Sequence, residues 1–83
     1  MIELSEKKIE ELKEKIPVKI GERIRFFRKQ KKLTQTELAK LVGKDRQYLY
    51  KIEKAVVTPN IVTISALAIA LEIPLKEFFD IEV

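Results

Sequence analysis

Arg46, Gln47 and Lys51 stand in the stretch DRQYLYKIEK, residues 45–54, with Tyr48 and Tyr50 between them. A guanidinium offers two parallel donors that match the O6 and N7 acceptors of guanine. A carboxamide offers the donor and acceptor that match adenine. Lys51 lies four residues beyond Gln47, one helical turn on and on the same face. A helix built only for solubility would carry Lys and Glu there. These side chains point instead to hydrogen bonding with an outside partner, with a merely solvated face as the plainer alternative.

Composition removes most other chemistry. The 83 residues suffice for one small domain with a modest core. With no Cys and no His, there is no disulfide, no thiolate and no imidazole to bind metal or activate a nucleophile. Gly21 and Gly43 are the only glycines, too few for a phosphate-cradling loop. An enzyme is not expected, nor a cofactor, a metal or a small-molecule ligand.

Charge is unevenly distributed. Residues 1–17 carry four Lys and five Glu, residues 18–54 twelve Lys/Arg and four acids, and residues 55–83 one Lys and four acids. A basic segment between acidic flanks fits a polyanion-binding face. The opening MIELSEKKIEELKEK is charged throughout, unlike a signal peptide. The longest apolar stretch, IVTISALAIALEI, is 13 residues and too short to span a bilayer. A cytoplasmic location away from membranes is expected.

All the periodicity is helical. A first helix is expected over 5–16, capped by Ser5, carrying the stripe Ile9, Leu12 and Ile16, and ended by Pro17. A second is expected over 18–31, with Ile20, Ile24 and Phe27 inward. Thr34 and Glu37 have the spacing of a capping box for a third, which ends before Gly43. Asp45 caps a fourth, reaching about Lys54. Pro59 and Asn60 start a fifth, and Pro74 a short sixth over PLKEFF. These elements divide the chain into an N-terminal extension helix, 1–17, and a five-helix domain, 18–83.

Two short helices joined by a tight Gly-containing turn form a helix-turn-helix. In that arrangement the second helix enters the major groove while the first crosses the duplex backbone. Gln35, opening the first, can give its amide to a phosphate. Arg46, Gln47 and Lys51 fall where base edges are read.

The motifs IGERIRFFRKQ, LTQTELAKLVG, YLYKIEK, TPNIVTISALAIALEI and PLKEFFD occur in the order and spacing of the Cro/cI-type, or XRE, repressor family. Residues 20–79 resemble that family's DNA-binding domain. The resemblance implies an all-α, lambda-repressor-like fold of five helices, here with an additional N-terminal helix. It implies a double-stranded DNA operator as partner, a homodimer, and a regulator of repressor, antitoxin or controller type. Carried over by position, Arg46, Gln47 and Lys51 read bases, while Gln35, Lys44 and Tyr48 contact phosphates. Arg28 and Glu53 match an ion pair that ties the module's first helix to the recognition helix.

This chain departs from the pattern in three places. Ala55 stands where glycine usually follows the recognition helix. Lys44 replaces a small apolar residue. In the fifth helix, Ile61, Ile64, Leu67, Ala68 and Leu71 form the expected core stripe, but Val62, Ala66 and Ile69 form a second one. With Val56 and Val57 nearby, that surplus surface is a candidate contact face. The expected covers are the chain's own N-terminal helix over part of it and a second protomer at the loop and C-terminal region. The competing functional reading is an adaptor that uses this fold to bind protein. RNA is the weaker nucleic-acid partner, because an A-form major groove does not admit a helix.

Overall fold

The computed structural model describes residues 1–83, and every regular element in it is helical. Four α-helices follow one another: α1 (Glu6–Gln30), α2 (Gln35–Leu41), α3 (Arg46–Glu53) and α4 (Ile61–Ala70), then a 3-10 helix over Leu75–Phe79. The expected six helices are therefore four and a 3-10 turn. Two of the differences have physical causes that periodicity alone does not carry.

The first concerns Pro17, which does not end a helix but lies inside α1. An internal proline removes one backbone hydrogen bond and costs about 3 kcal/mol. Here the cost is offset from both sides. The turns before it are rich in Lys and Glu, good helix formers, with Lys13 paired to Glu10. Ile16, next to the proline, packs against the core. Lys8 also donates to the Val83 carbonyl at 3.2 Å, holding the N-terminal turns against the C-terminal tail. The second concerns residues 75–79, where five residues between Pro74 and Asp80 form a tighter 3-10 turn.

Side-chain caps open all four α-helices. Ser5, Thr34, Asp45 and Asn60 each accept from the backbone N–H three residues on. At α2 the box is reciprocal, since Glu37 takes the Thr34 N–H at 2.9 Å. That N–H first, and the Thr34 hydroxyl second, hold the Glu37 carboxyl below its ordinary pKa of 4.5.

The four helices also close alike. In each, the two N–H groups past the last turn bond back to carbonyls five residues earlier and three residues earlier, the Schellman arrangement. It requires a left-handed residue, supplied by Lys32, Gly43, Ala55 and Glu72. Only Gly43 adopts that conformation without a Cβ penalty.

The core is one cluster. Ile20 and Ile24 of α1 meet Leu38 and Ala39 of α2, Leu49 and Ile52 of α3, Ile64, Leu67 and Ala68 of α4, with Leu71 and Phe78. Ile61 was expected in this stripe but is 58% exposed. It is the first residue of α4, at the solvent end of the helix. Arg23 fastens the 3-10 helix to α1 through two bonds to the Glu77 carbonyl, at 2.9 and 2.7 Å. Its guanidinium lies 4.9 Å from the Phe27 ring centre.

Candidate nucleic-acid interface

The inner side of α3 is fixed by three contacts. Leu49 and Ile52 enter the core. Gly21 lets α1 pass so close that a Cβ there would sit 2.6 Å from the Ile52 carbonyl and 2.8 Å from that of Glu53. Glu53 completes the attachment. Its carboxylate accepts from Arg28 Nε at 2.7 Å and Arg28 Nη2 at 3.0 Å, a two-pronged pair with both side chains buried. Arg28 Nη1 reaches the Leu33 carbonyl at 2.8 Å, and Gln35 Nε2 donates to Glu53 Oε1 at 3.1 Å. One buried carboxylate thus joins α1, α2 and α3.

With that side fixed, the opposite side of α3 faces solvent. Arg46 and Gln47 are exposed and Lys51 is half-buried. None of the three forms a salt bridge or a side-chain hydrogen bond within the chain. At 100° per residue, Gln47 and Lys51 point almost opposite to Leu49, and Arg46 lines one cleft with Gln35. The turn from α2 to α3 spans Val42 to Asp45, with Gly43 at φ +70°.

The expected phosphate group is arranged less uniformly. Lys44 is exposed, its ammonium 5.0 Å from the centre of the Tyr48 ring. Tyr48 is half-buried and packs on the core. Gln35 has one amide proton on Glu53, leaving the second proton and the carbonyl oxygen to face outward.

No motif in the sequence assigns Tyr50 a role. Tyr50 is 43% exposed and, with Arg46 one turn before it, lines a cleft of about 440 Å³. Arg25 and Lys29 of α1, Thr36 of α2 and Lys54 line it too. The spacing of four between Arg25 and Lys29, and between Arg46 and Tyr50, was the available signal, because it puts each pair on one helical face.

The surplus apolar surface stays open. Val62 is 73% and Ile69 78% exposed, Val56 is exposed, and Val57 and Ala66 are half-buried. The chain's own N-terminal helix leaves Val62 and Ile69 uncovered. The uninterrupted run of α1 carries Ile9, Leu12 and Ile16 to a separate shallow groove closed by Pro17 and Thr58.

A tight helix pair, with its second helix anchored on one side and polar on the other, defines the helix-turn-helix class. A family model described as Helix-turn-helix matches residues 24–78, and the chain belongs to that family, of Cro/cI type.

Two relatives come from Bacillus phage phi105. The immunity repressor protein is 43% identical over 65% of this chain and 38% of its own length. The ImmF control region 10 kDa protein is 42% identical over 70% of this chain and 64% of its own. The chain therefore spans less than two thirds of either relative. Among solved structures, the restriction-modification controller protein C.AhdI from Aeromonas hydrophila superposes with a TM-score of 0.74 at 41% identity, over 76% of this chain and 91% of that one. The hypothetical transcription factor NHTF from Neisseria has the same fold, with a TM-score of 0.74 at 24% identity over 94% of this chain and 83% of its own. No helix of the protein is long and apolar enough to cross a membrane.

Proposed function

We propose that this chain is a sequence-specific double-stranded DNA-binding transcriptional regulator of repressor or controller type, acting in the cytoplasm by occupying an operator. The observation that carries the reading is the outer face of α3. Arg46, Gln47 and Lys51 project from a rigidly anchored helix with no partner inside the chain. Arg46 offers two parallel donors suited to guanine, and Gln47 a donor and an acceptor suited to adenine. Lys44, Tyr48 and the free side of Gln35 take phosphates on either side. Residues 18–83 form the binding unit, and residues 1–17 extend it without entering the groove. The chain works by binding and not by catalysis.

The regulator acts as a homodimer. Val56, Val57, Val62, Ala66 and Ile69 supply the contact, because an apolar surface this exposed on a small chain calls for a cover that the chain itself does not provide. A two-fold dimer places two recognition helices about 34 Å apart, one turn of duplex. Selection of bound duplexes from a random pool tests the reading. The expected outcome is a symmetric site with half-sites one helical turn apart. Enrichment of no sequence would favour the protein-binding adaptor instead.

A further inference from the structure

Four cations without a salt-bridge partner line the cleft between α1 and the helix pair. Arg25 and Lys29 of α1, Arg46 of α3 and Lys54 at its C-cap all line it, and none of the four is in a salt bridge. Glu53 is the one carboxylate among the lining residues, and Arg28 already holds both its oxygens. Glu22 shares the neighbouring hollows with Arg25, Lys29 and Lys54, but it lies outside this cleft and forms no salt bridge with any of them. Gathering like charges around open space is unfavourable unless an anion joins them. The neutral lining adds donors and not acids, namely the hydroxyls of Tyr50, Thr34 and Thr36 and the amide of Gln35.

We propose that this cleft seats the phosphate backbone beside the groove that α3 enters, with Arg25 and Lys29 bringing α1 into the DNA footprint. The inference rests on the DNA-binding reading above and adds residues outside the helix-turn-helix pair to it. A guanidinium matches a phosphate in a two-pronged geometry, and an ammonium serves as a compact point charge. Arg25 and Lys29 are one turn apart on one face of α1, so both reach the same stretch of strand. The Tyr50 hydroxyl donates from the opposite wall. These contacts hold the protein in register and carry no base preference.

The test is the salt dependence of affinity for an operator selected from a random duplex pool. Each phosphate contact contributes about 0.9 to the slope of log affinity against log salt concentration. The Arg25→Gln/Lys29→Gln double variant should therefore flatten that slope by about 1.8 per protomer. Preference among single-base operator variants should not change. Lys13→Gln/Lys15→Gln removes the same charge from the far end of α1 and should leave the slope alone. Tyr50→Phe should weaken all duplexes by the same factor.

An unchanged slope in the Arg25/Lys29 variant overturns the inference and leaves DNA binding by α3 standing. Equal flattening by both double variants also overturns it, because net charge alone would then be acting. If the Arg25/Lys29 variant melts early, duplexes with neutral methylphosphonates beside each half-site give the readout with unaltered protein. Full affinity for those duplexes would overturn the inference. A wild-type chain that enriches no operator removes the underlying reading, and this inference with it.

Discussion

The two sides of α3 obey opposite rules within eight residues. On the inner side every polar group is matched. Glu53 receives Arg28 and Gln35, Arg28 also reaches Leu33, and no buried side-chain polar atom lacks a partner. On the outer side Arg46 and Gln47 have no partner at all. Satisfied groups hold a helix in one place, and unsatisfied groups give it something to bind. A side chain that makes both kinds of contact is rare here, and Gln35 is the clear case. The comparison predicts that stability and recognition are separable by substitution.

The largest effect belongs to the inner side. Glu53→Ala leaves the Arg28 charge buried and strands the Gln35 amide, and removing one partner of such a pair costs about 3–5 kcal/mol. Thermal or denaturant unfolding measures it. A loss below about 1 kcal/mol, the range of exposed pairs, would mean the inner side is not a lock. Next comes Gly21→Ala, whose Cβ would meet two α3 carbonyls that belong to backbone and cannot swing aside. Overpacking of this kind costs about 1–3 kcal/mol, and it should push α1 off α3 with Glu53 intact. An unaltered melting curve would show that α1 and α3 have slack between them.

The outer side should behave in reverse. Gln47→Ala should change stability by less than about 0.5 kcal/mol, as surface substitutions do. It should erase about 1–3 kcal/mol of discrimination at one base per half-site. Affinities for a set of single-base operator variants decide this. Uniform weakening across the set would place the reading face elsewhere on α3.

The smallest effect sharpens the comparison at the helix ends. The turns after α2 and α3 have the same left-handed geometry, with Gly43 in one and Ala55 in the other. Relieving the Ala55 Cβ in Ala55→Gly should raise stability by about 1 kcal/mol and leave DNA affinity unchanged. No gain in the midpoint of urea unfolding would mean that the alanine sits there without strain.

The features legible in the sequence are the local ones. Thr34 with Glu37, Asp45, Asn60 and Gly43 each act within four residues of themselves, so their spacing is enough to place α2, α3 and α4. The Cro/cI-type motifs add the family. What escaped depends on distant packing. Pro17 looks like a stop, and only Ile16 against the core and Lys8 against Val83 show why it is not. Tyr48 and Tyr50, two residues apart, lie on different faces of a helix, and only the packed structure puts Tyr48 on the core and leaves Tyr50 exposed. Gln35 carries no sign in the sequence of its bond to Glu53, eighteen residues away. The cleft escaped for the same reason, since Arg25 and Tyr50 meet only once α1 has docked on α3.

The unbroken course of α1 has a mechanical consequence. Its 25 residues rise about 37 Å at 1.5 Å each, nearly the 41 Å length of the whole molecule. Near its middle, at Gly21, it rests on the last turn of α3. It is thus a spar whose N-terminal end is indexed to α3. A reporter joined to that end in helical continuity would inherit a fixed bearing relative to the duplex. A pair of fluorophores on Lys7 and the DNA could then serve as a protractor for how the protein sits.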